Sequence, residues 1–286
     1  KHGARIFCQL HHPGRQTFSA LCGNQPLVSA YAIPCGYNKQ PTRALETEEV
    51  KFIIQNYIDA AVRAKKAGFD GVEIHGGHGY LPEQFMSPYT NKRTDEYGGS
   101  FENRMRFPTE IVTGIHAACG EDFPVTLRMP GDEFLGSYGV TEDYIDNAEA
   151  VRIAVAMEKA GFAALNVTCG TYEARFPVVD PTAYEQGWKI PFASEIRKHV
   201  SIPVAATGVI REAEYADKLI DENIIDFAAL GRPWLCDPDF GIKATSGRGD
   251  DIRKCMSCVY CFDTAGETLV TGGGHAKCAV NPEMGN

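Results

Sequence analysis

No stretch of this 286-residue chain carries the roughly 20 consecutive apolar residues that a membrane-crossing helix needs. Nor does a hydrophobic signal segment open the sequence, so the expected location is the cytoplasm. Basic tracts are scarce as well. The net charge is −9, and Lys and Arg stand singly or in short clusters such as Arg63-Ala64-Lys65-Lys66, a pattern that argues against a nucleic-acid partner. Internal repeats and low-complexity tracts are missing, which leaves one main domain as the default. The 44% apolar content is enough for a large core. Of the ten cysteines, four gather near the carboxyl end in ligand-like spacing, which suits a reducing compartment better than a disulfide framework.

Strand and helix patterns alternate along the chain. The strand Ala4-Arg5-Ile6-Phe7-Cys8-Gln9-Leu10 comes first, then a helix near 47–67, a strand at 70–75, a helix at 101–118 and a strand at 124–129. A helix at 142–160, a strand at 163–168, a helix near 191–199, a strand at 203–207, a helix at 211–222, a strand at 225–230 and a short helix after Asp237 complete the series. This makes an α/β chain with about six parallel strands. The triplet at 272–274, GGG, marks a flexible loop.

The densest chemistry lies in DGVEIHGGHGYLPEQFMSPYTNKRTDEYGGSFENRMRF, residues 70–107. His75, His78 and Tyr80 follow a short buried strand, and such strand ends normally face a ligand in α/β folds. Two imidazoles can hydrogen-bond one carbonyl oxygen and polarise it, while a phenol can supply the proton to the neighbouring carbon. That combination suits reduction of an activated double bond.

HGGHGYL, followed by Phe85, Asn91, Arg93 and YGGSFENRMRF, resembles the Old Yellow Enzyme family of FMN oxidoreductases. The match is to its clostridial enoate reductase and bacterial 2,4-dienoyl-CoA reductase branch, and its motifs recur in order from about residue 9 to residue 282. The resemblance implies a TIM (β/α)8 barrel. In that family the segment seen here as QLHHPGR belongs to the third strand, so the barrel is expected to be incomplete, with its first two strands absent and core surface exposed. An open doubly wound sheet is the alternative. Residues 1–247 would form the FMN-binding barrel, strands three to eight, and residues 248–286 a four-cysteine segment. The natural protein is then expected to be longer at both ends.

For the cofactor, the resemblance implies Gln9 against the pyrimidine edge of FMN and Arg128 near the atoms where the reduced flavin gathers negative charge. Gly208 and Gly231 would line the phosphate loops, with Arg232 as clamp. His75 and His78 map onto the pair that holds the substrate oxygen, and Tyr80 onto the proton donor. Tyr172 stands where the dienoyl-CoA reductases have a His, which makes conjugated dienes less certain substrates. It could line the pocket, and Arg175 could meet an acidic group.

Cys255, Cys258, Cys261 and Cys278 supply four thiolates from a loop-rich segment, suited to a 4Fe-4S cluster or to structural zinc. The step to Cys261 is shorter, and the loop to Cys278 longer, than in the resembling branch. In that branch an FAD- and NADH-binding region follows. The implied activity is an ene-reductase fed by NAD(P)H, with hydride from FMN N5 and the proton from Tyr80. Its partner would be a small unsaturated carbonyl compound, and homo-oligomer formation is left open. Two other readings stand beside it: an iron-sulfur flavoprotein that only transfers electrons, and a fragment unable to hold FMN by itself.

Overall fold

Strands and helices alternate in the computed structural model, which describes residues 3–285 and the side chains of all of these except 269 and 270. The strands are β1 Phe7–Leu10, β2 Leu27–Ser29, β3 Thr42–Ala44, β4 Gly71–His75, β5 Val125–Pro130, β6 Ala164–Thr168, β7 Val204–Ala206 and β8 Phe227–Ala228. The helices are α1 Thr47–Lys66, α2 Leu81–Met86, α3 Phe101–Cys119, α4 Asn147–Ala160, α5 Arg175–Val179, α6 Ile190–Arg197, α7 Ala213–Asp221, α8 Arg232–Cys236, α9 Phe240–Thr245 and α10 Tyr260–Thr271.

Local chemistry sets the long helices. Glu46 and Glu49 form a reciprocal capping box at the start of α1, and Arg63, Lys65 and Lys66 complement the dipole at its end. Its buried face, Val50, Ile53, Ile54, Tyr57, Ala61 and Ala64, follows helical spacing. Asp146 accepts from the Glu149 amide, so α4 begins at Asn147 and not at the expected 142.

Six strands form one parallel sheet in the order β1-β4-β5-β6-β7-β8, and β2 and β3 pair separately. One face of the large sheet is sealed by helices: Val72, Ile74, Val125, Leu127, Leu165, Val204 and Ala206 are fully buried. Truncating Ile74 or Leu127 to Ala would cost about 2–5 kcal/mol. The opposite face differs. Its cross-strand row runs Gln9, Glu73, Thr126, and one step along Arg128, Asn166, Ala205, Phe227. These residues are half-buried or exposed.

Several elements had no counterpart in the sequence reading: β2, β3, α2, α5, α8 and α10. The cysteine segment, expected to be mostly loop, contains α10, with Cys261 in its first turn. The first glycine of the GGG triplet is the stop of that helix: Gly272 sits at φ 69°, and its amide bonds to the Thr268 carbonyl. Among the described residues, no helix is long and apolar enough to cross a membrane.

Candidate active site

His75 is the last residue of β4, and the chain then turns through two left-handed residues in succession, His78 at φ 60° and Gly79 at φ 74°. A non-glycine residue rarely adopts that conformation, so the turn needs external support. Buried side chains provide it. Glu83 accepts from the Gly79 amide at 2.7 Å, and the Gln84 amide donates to the Gly79 carbonyl at 2.6 Å. The Gln16 amide donates to the His78 carbonyl, while its oxygen accepts from the Tyr172 amide at 3.3 Å. A Cβ at Gly79 would lie 2.8 Å from Gln16, which explains the glycine.

The turn gathers a cluster of rings. Centroids lie 5.2 Å apart for His75 and His78 and 4.8 Å apart for His75 and Tyr80. His11 packs edge-on against Tyr80 at 4.2 Å. The His78 Nε2 is hydrogen-bonded with Thr168 Oγ1 at 2.8 Å, and the Tyr80 and Tyr172 hydroxyls lie 2.8 Å apart. Burial, then the nearby Arg128, pushes the His75 imidazole down to about 3 and His78 well below its ordinary value. Both rings are therefore neutral near pH 7, each with one N–H to give. Burial, then Tyr172, raises the Tyr80 phenol, which stays protonated.

A cavity of about 500 Å³ opens beside this cluster. His78, Tyr80, Arg128, Tyr172, Gly208, Gly231 and Arg232 all line it, so most of the predicted positions meet in one place. The Arg128 Nε is buried and has no hydrogen-bond partner in the protein. Nothing lies within 4 Å of where a Gly231 Cβ would be, which leaves the backbone there open to a ligand. His75 touches the other rings but does not line the cavity.

Gln9 does not line this cavity. Its exposed amide donates to Glu73 at 2.6 Å, and it borders a different cavity with His11, His12 and Tyr57. Arg232 is also engaged, donating to the Val179 and Asp180 carbonyls at 2.9 and 3.0 Å and facing the Asp180 carboxylate at 3.4 Å. Arg175 stands outside the large cavity, over the Tyr37 ring at 5.2 Å, in a smaller recess shared with Tyr172, Val178 and Phe262. Sequence reasoning missed His11, Gln16, Thr168 and the cavity-lining Lys189, which is buried and paired with Asp180 at 2.9 Å. Only the adjoining QLHHPGR motif carried a signal, for His11 and Gln16.

The four thiols Cys255, Cys258, Cys261 and Cys278 line one small cavity. No group of three or more His, Cys, Asp or Glu among the described residues converges as a metal-ion site. Cys261, Arg232, Leu235 and Val259 line both this cavity and the large one, so the two are neighbours.

Residues 1–251, which include the ring cluster and most of the lining of the large cavity, match the model of the NADH:flavin oxidoreductase / NADH oxidase family. The chain belongs to that family. Among its similar relatives are an NADH oxidase of Thermoanaerobacter brockii, 45% identical over 99% of this chain and 42% of its own length, and a cinnamate reductase of Clostridium sporogenes, 36% identical over 99% of this chain and 44% of its own. A solved 2-naphthoyl-CoA reductase, in complex with 2-naphthoyl-CoA, superimposes with a TM-score of 0.87 at 29% identity, covering 99% of this chain and 44% of that one. The chain thus spans less than half the length of these relatives.

Proposed function

We propose that this chain is the FMN-binding part of an ene-reductase that reduces an activated C=C bond of an enoate, enoyl-CoA thioester or enone with electrons from NADH or NADPH. The observation that carries this reading is the meeting of two neutral imidazoles and a protonated phenol beside the cavity, which His78 and Tyr80 line together with Arg128 while His75 packs behind them. Family membership supports a flavin in that cavity. The residues fit it: the unpartnered Arg128 Nε suits the electron-rich edge of the ring, and the open backbone at Gly231, with Gly208, suits the phosphate. Arg232 would then exchange Asp180 for the phosphate. Bound there, reduced FMN would supply hydride from N5 to the β-carbon of the substrate.

The side chains do the rest. His75 and His78 donate to the carbonyl oxygen, stabilising the charge that develops on it by about 3 kcal/mol per well-placed donor. Tyr80 protonates the α-carbon, and Tyr172, at 2.8 Å, is placed to return the proton. The relative named for cinnamate favours aryl enoates among the substrates. Tyr37, Tyr172 and Phe262 suit a planar group there, with Arg175 beside its carboxylate.

The six parallel strands are read as strands three to eight of a (β/α)8 barrel within residues 1–247. Parallel sheets are normally covered on both faces. The half-exposed row from Gln9 to Phe227, and the outer edges of β1 and β8, unpaired among the described residues, supply the surface that two further strands would close. In residues 248–286 the four cysteines would hold a 4Fe-4S cluster. They share one cavity without converging on a single ion, and a cluster spaces its thiolates farther apart than zinc does. FAD would belong to a further region of the longer protein.

An anaerobic absorption spectrum of the purified protein, with iron and acid-labile sulfide analysis, tests this. Flavin and iron-sulfur bands bleached by NADH and restored by one of a panel of cinnamate, enoyl-CoA and enone compounds are expected. Flavin and iron with no recovery by any alkene would reduce the protein to an electron carrier, and zinc without flavin would overturn both cofactors.

A further inference from the structure

Two acids are sealed beneath the ring cluster. Glu83, on α2, is 0% exposed, and Glu133, in the loop after β5, is 1% exposed. Glu133 Oε2 accepts from the Ser87 hydroxyl at 3.0 Å and from the Ile145 amide at 2.7 Å. Glu83 Oε2 accepts from the Gly79 amide. That leaves Glu83 Oε1, buried and with no donor to satisfy it. The carboxyl beside it is that of Glu133, another acceptor, which is tied to the Ser87 hydroxyl one helical turn on from Glu83. Two acceptors facing each other out of water repel unless a proton lies between them.

We propose that Glu83 and Glu133 share one proton, and that this carboxyl pair positions His78 and Tyr80 by holding the Gly79 amide between them. Glu133 has two donors and Glu83 one, so the proton resides on Glu83 Oε1 and is donated to the Glu133 carboxylate. In that state Glu83 has one oxygen for Gly79 and one O–H for Glu133, and nothing is left unpaired. Glu83 touches no reacting atom. It is a positioning residue, and its role rests on the donor role proposed for Tyr80.

The surroundings keep the proton in place. Burial first, and then the Glu133 charge, raises Glu83 well above the carboxylate range, and burial raises Glu133 to about 7. The third acid facing the pair is Glu173, which is matched by buried Arg15 at 2.6 Å. The phenols of Tyr80, Tyr89 and Tyr144 also feel the pair, and burial raises all three above their ordinary value. Loss of the shared proton at alkaline pH would set two carboxylates against each other, and the turn would give way. A displacement on the order of 1 Å at such a site can lower a rate by about a hundredfold.

The test compares the holoprotein with Glu83→Ala and Glu83→Gln. The Gln amide imitates the protonated acid: its carbonyl accepts from Gly79 and its N–H donates to Glu133. Reoxidation of the reduced flavin by an alkene should fall away at alkaline pH in the parent, be lowered about a hundredfold at every pH in Glu83→Ala, and in Glu83→Gln recover most of that loss and keep no alkaline limb. An alkaline limb that persists in Glu83→Gln overturns the proposal. Two further readouts need no turnover, and they serve if Glu83→Ala fails to fold. Infrared difference spectra between neutral and alkaline pH should show the loss of a carboxylic-acid carbonyl band, absent in Glu83→Gln. Thermal stability carries a sign. The unfolded chain releases this proton near the ordinary carboxyl value of 4.5 and the folded pair holds it, so folding stability falls as pH rises above 4.5 until the pair ionises. Glu83→Gln escapes that loss, and its thermal midpoint should gain on the parent as pH rises. A missing carbonyl band, or midpoints that run parallel, sinks the pair whatever the reaction proves to be. A pair that titrates as described in a protein that reduces no alkene overturns the Tyr80 reading and the positioning role with it.

Discussion

The turn from His75 to Met86 and the thiol segment from Cys255 to Cys278 border the same cavity, yet they are built in opposite ways. In the turn, His75, His78, Glu83 and Gln84 are buried, and the Gly79 amide, the Gly79 carbonyl and the His78 carbonyl each meet a buried side chain, Glu83, Gln84 and Gln16 in turn. In the thiol segment Cys258 is exposed, Cys255, Cys261 and Cys278 are half-buried, and α10 is preceded by a left-handed Val259, φ 65°, that gives it no side-chain cap. On the reading proposed above, the proton-handling side of the site is preorganised by the protein, whereas the thiol side would be completed by a bound cluster.

The comparison breaks most visibly at the thiols. Cys258→Ser should abolish bound iron and acid-labile sulfide while flavin content stays at the parent level, as metal analysis and absorption spectra would register. Iron retained in full would remove Cys258 from the ligand set. On the other side, His78→Ala should leave flavin binding intact and slow reoxidation of the reduced flavin by an alkene about 10²–10³-fold. A loss of flavin in that variant would mean that His78 serves the cofactor and not the substrate.

A smaller effect sharpens the picture. Because His75 titrates near 3 and His78 well below the ordinary imidazole value, alkene reduction should show no break between pH 6 and 8 from either ring. Stability, in contrast, should fall as pH drops below 6.5, because the unfolded chain takes up protons that the buried rings refuse until about 3. A rate that follows a group titrating near 6.5 would show that one of these imidazoles is charged in the working state.

Much of this was legible in the sequence. Hydrophobic alternation located all six strands of the main sheet, because buried parallel strands read as short apolar runs between helical patterns. The spacing His-x-x-His-x-Tyr placed the ring cluster, since three residues on one turn need no long-range information to meet. What escaped notice was carried by tertiary contacts. Glu83 and Glu133 are 50 positions apart and look like two surface acids until burial puts them together. The Gln9 amide is held by the neighbouring strand's Glu73, a pairing set by register that the local sequence does not show. Short helices such as α2 and α5 lack the length that makes periodicity visible.

The measurement closest to the centre is the anaerobic reoxidation of the NADH-reduced holoprotein by an aryl enoate, followed by stopped flow in the parent and in Tyr80→Phe. A loss of about 10²–10⁴-fold in the reoxidation rate, with unchanged flavin content, is the result expected of a proton donor. Equal rates in the two proteins would contradict it and leave the ring cluster without its assigned chemistry.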